Sequence, residues 1–443
     1  MRFDPKLLMA LLPFLIISTY SLFFNAYTMD EYTYLLIGRH YAAGDFFNAP
    51  EVNRFPVFPA LLAVAFKFFG ESLLVARLLS ILAGAAAVAL VYWFGAKHFG
   101  ADAGLWAALL LGSSPFFAYL SNKVLTESLF MLALFACFYL AVKAADDKKW
   151  LIALGPAFAL LILTRYFGLY FGLIALIFWW RRGKLVMLSS REFVAGAIGF
   201  VAVFLPWLYY STALTGNPLG LMAEFFLTNR HLVQGGFALT DRIPSYLLAV
   251  PFIAGAAVAI VALSLRRLLA MLSQNASFAA ALSIGVIAIV MELHGFLQFR
   301  LLRYIVPAAP FVALFAGAAA AMMLKRDTKT IVPNRLVPVF LASLLIVNLA
   351  ASAAVVYWLG SSPRYSAYHT VGEFVAANCA SHYSNLDRVM EFYSRKPSAA
   401  TLEAADCTVV SSYDPNVLQI PYAEGRPVIF TRNGLTVYGK TRS

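Results

Sequence analysis

Charge is what this chain has least of. Of its 443 residues, 13% are charged and 61% are hydrophobic, whereas an average soluble domain carries about 25% charged residues. That balance excludes an ordinary water-soluble enzyme. Cysteine is scarce too, with three in the whole chain and no CxxC-type spacing, so a cysteine-built metal site has no support. The opening "MRFDPKLLMALLPFLIISTYSLFFNAY" is basic and then apolar but lacks a small-residue cleavage site, and it reads as an uncleaved first helix. No basic stripe with interleaved aromatics accompanies the net charge of +12, which sets nucleic acid aside. No convincing internal repeat is present, which weakens a transporter built on inverted halves.

Long apolar runs, in contrast, recur along most of the length. A run of about 20 residues crosses a bilayer core of about 30 Å. Spans are expected near 7–27, 72–95, 102–120, 124–142, 150–164, 167–180, 193–212, 244–265, 275–293, 304–324 and 336–358. This predicts an all-α polytopic membrane protein with about eleven transmembrane helices. "VFPALLAVAFKFF" is too short to cross and suits an interfacial helix. "WLIALGPAFALLILTRYFGLYFGLIALIFWW" fits one long helix or a hairpin turning at Arg165 and Tyr166. A hairpin keeps Arg181, Arg182, Lys184 and Arg191 on the side of Arg2, Lys6, Lys97 and Lys148, as cytoplasmic loops require, so the hairpin is expected.

That topology puts the N-terminus in the cytoplasm. Outside lie a first loop at 28–71, a loop near 213–243, a turn at 294–303 and the C-terminal tail. The tail is polar, with an amphipathic "HTVGEFVAANCA" followed by strand-like "RVMEFYS", "CTVVSS", "PVIFTR" and "LTVYGK". We therefore expect a membrane domain over 1–358 and a small extracytoplasmic α/β domain over 359–443. Cys379 and Cys407 either pair there or stay as buried free thiols; sequence leaves both open. The sequon at Asn275 falls on the inner side and is discounted.

Polar groups near membrane depth are costly and tend to be functional. Asp30 and Glu31 stand where the first apolar run ends, and Glu127 opens another. Arg54 precedes "FPVFP", Arg165 marks the hairpin turn, and Arg300, Arg303 and Tyr304 lie in "QFRLLRYIVPAAP". Each arginine alone suits a snorkelling side chain. Together they gather on the outer face, against the positive-inside bias, which fits a phosphate-bearing lipid. His40 and His294 also face outward, and lone histidines there are more often packing residues than metal ligands. Tyr32, Tyr34 and Tyr41 suit an interfacial aromatic belt.

The carboxylate pair after the first helix, "NRFPVFP", "FFGESLLVARLLSILAG", "SNKVLTESLFML", "LTRYFGL" and "RLLRYIVPAAPFVALFAG" occur in that order. This set resembles the GT-C superfamily of polytopic glycosyltransferases, nearest to protein O-mannosyltransferases and aminoarabinose-to-lipid-A transferases, over roughly residues 7–325. The resemblance implies transfer of a sugar from a polyprenyl-phosphate donor lipid to an acceptor outside the cytoplasm. It implies Asp30 as catalytic base and Glu31 as the second acid shaping the acceptor site. Glu127, Arg54, Arg165, Arg300, Arg303 and Tyr304 would bind substrate, the arginines holding the lipid phosphate. Some relatives use a divalent cation, but no convincing ligand set stands out here. No "WWDYG"-like motif is present, so the oligosaccharyltransferase branch is not expected. The rival reading is a transporter or flippase of a lipid-linked sugar. The acceptor implied is a lipid, glycan or protein hydroxyl.

Overall fold

The computed structural model describes residues 4–24, 29–231, 255–274, 306–325, 332–333, 335–360, 364–384, 387–396, 398–399, 404–411, 426–432 and 435–439. The first helix, α1 (Pro5–Ser21), starts on a strong local signal. Asp4 accepts a hydrogen bond from the Lys6 amide at 3.0 Å, and proline opens the first turn, where its missing N–H costs nothing. There follow α2 (Met29–Ala43), α3 (Val57–Phe69), α4 (Leu73–Phe99), α5 (Ala101–Gly112), α6 (Pro115–Ser121) and α7 (Glu127–Asp146). The bundle continues with α8 (Trp150–Thr164), α9 (Leu169–Arg181), α10 (Arg191–Thr215), α11 (Gly220–His231), α12 (Ala257–Gln274), α13 (Ala309–Leu324) and α14 (Val337–Gly360).

This is a multi-pass membrane protein. Among the described residues, five helices are long and apolar enough to cross a bilayer, and the pair α5–α6, bent by 67°, makes a sixth candidate. The sequence suggested about eleven. Part of the difference is length: α1, α8 and α9 are apolar but shorter than a full span. The expected span at 275–293 lies outside the described residues. Val194, Val201 and Leu205 of α10 and Val339 and Val347 of α14 remain exposed on the outside of the bundle.

Small residues set the closest helix approaches. A Cβ added at Gly155 of α8 would fall on the Gly196 carbonyl of α10. The run "AGAAAVA" at 83–89 lets α4 close on Phe14 of α1 and Ser121 of α6, each of which a Cβ at Gly84 would meet within 3 Å.

The hairpin is present. α8 stops at Thr164, Arg165 adopts an extended backbone, and a 3-10 turn over Tyr166–Gly168 leads into α9. Gly168 sits against Leu161 and Gly172 against Phe158, the pairing of two antiparallel arms about one tip. At the far end, Trp179 donates to the Ala141 carbonyl at 3.0 Å. That end also gathers Lys6–Asp102 at 3.3 Å, Lys148–Glu192 at 3.2 Å and Arg182–Asp146 at 3.4 Å.

Beyond α14 lie α15 (Arg364–Asn378), β1 (His382–Ser384), α16 (Asp387–Ser394), β2 (Cys407–Ser411), β3 (Val428–Arg432) and β4 (Leu435–Gly439). The strands form one sheet in the order β1-β2-β4-β3, with β1 parallel to β2 and the other pairs antiparallel. One expected strand is a helix: "RVMEFYS" forms α16. Its apolar residues come in pairs, Val389–Met390 and Phe392–Tyr393, a helical spacing that buries Val389 and Met390 fully. The strand is instead the short "HYS" before it.

Cys379 and Cys407 are disulfide-bonded, with Cα atoms 5.8 Å apart, which joins the end of α15 to β2 across 28 residues. A loop of that length gives about 3–4 kcal/mol on a chain-entropy estimate. Cys407→Ser should therefore lower the unfolding midpoint of the purified protein in denaturant, and an unchanged midpoint would refute the estimate.

Candidate active site

Asp30 and Glu31 do not cap the first helix. They form the first turn of α2, a separate helix that begins at Met29, where the helix dipole favours a carboxylate. From there the two side chains diverge. Asp30 is about a quarter exposed and accepts from Arg54 Nη2 at 3.1 Å. Glu31 is fully buried. It accepts from the Val124 amide at 2.9 Å and faces Lys123 Nζ at 3.6 Å.

Arg54 bridges two acids, because its Nε also donates to Glu51 Oε2 at 2.6 Å. Glu51 in turn accepts from Thr33 Oγ1 of α2 at 3.4 Å. Glu51 is held at φ 50°, a left-handed conformation that costs a non-glycine residue about 1–3 kcal/mol and tends to mark functional sites. Phe55, next to Arg54, packs edge-on against Tyr166 with ring centroids 4.6 Å apart. The first outer loop is thereby docked on the tip of the α8–α9 hairpin.

From that tip, Arg165 Nη1 reaches Glu127 Oε1 at the start of α7, at 3.3 Å, with both side chains nearly buried. Tyr34 of α2 lies among these groups. Burial pushes its phenol up, and the charges of Arg54, Glu127, Asp30 and Arg165 all act on it. Because Phe55 follows Arg54 and Tyr166 follows Arg165, the contact of those two rings sets the two ion pairs in one neighbourhood. Lys123 is drawn down by burial and held up by Glu31.

Asp30, Glu31, Glu127, Arg54 and Arg165 are therefore brought together. Arg300, Arg303, Tyr304 and His294 lie outside the described residues. His40 is elsewhere, with Nδ1 3.0 Å from Asp45 Oδ2. The tyrosines read as an aromatic belt are instead packed inside, with Tyr32, Tyr34 and Tyr41 at 1%, 3% and 7% exposure.

Three further residues escaped the sequence reading. Glu51 and Lys123 carried no positional signal beyond lying in polar turns. Arg77, in the quoted "FFGESLLVARLLSILAG", is buried on α4 and donates to the Phe24 carbonyl at 2.9 Å. An arginine deep in an apolar run was the available clue.

The result is a mixed cluster of acids and cations at one end of the bundle, partly open at Asp30 and Arg54. A carboxylate there can accept a proton from an incoming hydroxyl. A guanidinium there can take a phosphate through paired hydrogen bonds.

Known proteins show the same architecture. The structure superposes on ArnT from Cupriavidus metallidurans bound to undecaprenyl phosphate with a TM-score of 0.68 at 17% identity, covering 97% of each chain. The chain has the GT-C fold. The apo state of the same ArnT gives a TM-score of 0.67 at 16% identity over 96% of each chain. The GT-C fold extends to the Archaeoglobus fulgidus oligosaccharyltransferase in complex with Zn and sulfate, with a TM-score of 0.59 and 13% identity over 90% of this chain and 68% of that one. Residues 50–210 match the dolichyl-phosphate-mannose-protein mannosyltransferase family. That segment runs from Pro50 to Tyr210, within α10, and includes Glu51, Arg54, Lys123, Glu127 and Arg165. No curated protein sequence matches the chain. The GT-C resemblance read from the ordered motifs is thus borne out in the fold.

Proposed function

We propose that this chain is a glycosyltransferase. It moves a sugar from a polyprenyl-phosphate donor to an extracytoplasmic lipid, glycan or protein hydroxyl, with inversion. The observation that carries this reading is the direct contact of Asp30 and Arg54 at the mouth of α2, in a fold shared with an ArnT that binds undecaprenyl phosphate. Residues 1–358 form the catalytic membrane domain and 359–443 an extracytoplasmic domain. The N-terminus is cytoplasmic.

Asp30 acts as general base. It takes the acceptor proton as the hydroxyl attacks the anomeric carbon. The bond to the phosphate oxygen breaks from the opposite side, which inverts the centre. The transition state is oxocarbenium-like, and Asp30 and Glu51 supply negative charge beside it. Charge grows on the departing polyprenyl phosphate, and Arg54 and Arg165 stabilise it. Arg300, Arg303 and Tyr304 contribute to the same lipid site. Glu31 and Glu127 shape the acceptor side from their buried pairs with Lys123 and Arg165. Asp30 and Glu51 would offer oxygens to a divalent cation only with Arg54 displaced, so no step here is routed through a metal.

The test is transfer of labelled sugar from polyprenyl-phosphate donors by the purified protein in proteoliposomes. Label moving to an acceptor with release of polyprenyl phosphate supports the reading. Donor crossing the bilayer with its sugar intact would indicate a flippase and sink it. Arg54→Gln should raise the donor KM roughly tenfold to a hundredfold, the worth of a charge-assisted hydrogen bond. An unchanged KM would remove Arg54 from phosphate binding.

A further inference from the structure

The C-terminal region does not hang free of the site. We propose, resting on the reading of Asp30 as base, that Arg39 and Tyr393 are positioning residues that latch α16 onto α2 and so hold the turn carrying Asp30 and Glu31.

The contacts run along one side of α2. Tyr32, the residue after Glu31, meets Tyr393 phenol to phenol at 3.2 Å. Its ring lies 5.6 Å from those of Phe392 and Tyr393. Two turns further on, Arg39 donates from Nε and Nη2 to Glu71 Oε1 at 3.0 and 2.7 Å. The same Nη2 donates to the Phe392 carbonyl at 3.0 Å, and the guanidinium lies 5.1 Å from the Phe392 ring centre. Arg395 closes the arrangement, with Nη2 3.2 Å from Glu71 Oε2. Glu71 thus joins α2, the turn before α4 and the end of α16.

The local backbone agrees with a constrained role. Arg395 sits at φ 55° just past α16, and its amide bonds back to the Glu391 carbonyl at 3.0 Å. Glycine is the usual residue in that left-handed cap. An arginine held there brings a charge to Glu71 that glycine could not. Behind α16, a Cβ at Gly372 of α15 would collide with Tyr393, so α15 backs the latch closely. Burial raises the Tyr393 phenol, and its hydrogen bond with Tyr32 draws it back down.

A base must be held within a fraction of an ångström of its working place. A misplacement of about 1 Å costs up to about 10²-fold in rate. Loss of the latch should therefore lower turnover and spare donor binding, since Arg54 loses at most its contact with Asp30 and keeps Glu51 Oε2, and Arg165 keeps Glu127, neither partner lying on α2.

The experiment uses the full chain in proteoliposomes with labelled polyprenyl-phosphate sugar. Arg39→Ala and Tyr393→Ala should each lower kcat roughly ten- to a hundredfold with the donor KM unchanged. Tyr393→Phe keeps the ring against Tyr32 and should retain most of the activity. The double alanine variant should be little worse than the poorer single one, because both act through α16. Unchanged kcat in either alanine variant overturns the latch, as does a loss confined to KM. Limited proteolysis shows whether the C-terminal region, closed by the Cys379–Cys407 disulfide, has folded. If an alanine variant is cleaved there where the wild type is not, Arg39→Lys decides. It can keep the Glu71 pair but cannot also span to the Phe392 carbonyl, so kcat should be intermediate, and wild-type kcat rejects the proposal. Asp30→Asn separates the two readings. An inactive Asp30→Asn beside fully active latch variants rejects the latch alone, while an active Asp30→Asn rejects the assignment of the base and the latch with it.

Discussion

Asp30→Asn should cut sugar transfer by about 10²–10⁴-fold, the usual contribution of a positioned general base. The amide matches the carboxylate in size and can still accept from Arg54 Nη2, now 3.1 Å from Oδ1. Packing of α2 should survive, because Tyr34, Leu35 and Leu36 stay buried as before. What goes is the ability to take a proton. The loss should therefore fall on kcat, with donor affinity close to wild type. Initial rates over a range of donor concentrations separate the two parameters. Turnover near wild type would remove Asp30 from the mechanism. A loss confined to KM would make it a binding residue instead.

Much of the site was legible because the bilayer makes polar residues conspicuous. Asp30, Arg54, Glu127 and Arg165 each interrupt an apolar context, and each lies in the cluster. The hairpin was legible from loop charge, since only a turn at Arg165 keeps "RRGK" on the basic side. Other features depend on backbone geometry that no apolar count reports. α2 is separated from α1 although the hydrophobic run continues toward residue 27, because the break needs only a few residues. Nothing in the sequence singles out Glu51; its part in the cluster follows from a positive φ and from Thr33 on α2. "RVMEFYS" has the residue types of a strand, yet its paired apolar residues face a sheet as a helix does. The disulfide was an open alternative, as pairing is set by the distance between β2 and the end of α15.

Lys123→Met should destabilise the protein by about 3–5 kcal/mol, the cost of breaking a buried ion pair from one side. Lys123 and Glu31 are 5% and 0% exposed and 3.6 Å apart. Removing the ammonium takes away the cation 3.6 Å from the buried carboxylate, while the Val124 amide at 2.9 Å stays. Glu31→Gln in the same chain should recover most of the loss, because a neutral amide can accept from Val124 and asks for no counter-charge. Replacing both partners of a buried pair is often close to neutral. Unfolding of the two single variants and the double variant in detergent gives the coupling directly. Additive losses would show that the two side chains do not act as a pair. Transfer assays on the stable double variant then ask a separate question. If Glu31 shapes the acceptor site by its charge, folding returns and turnover does not. Recovery of both would make the pair a structural staple that fixes α2 to the start of α7.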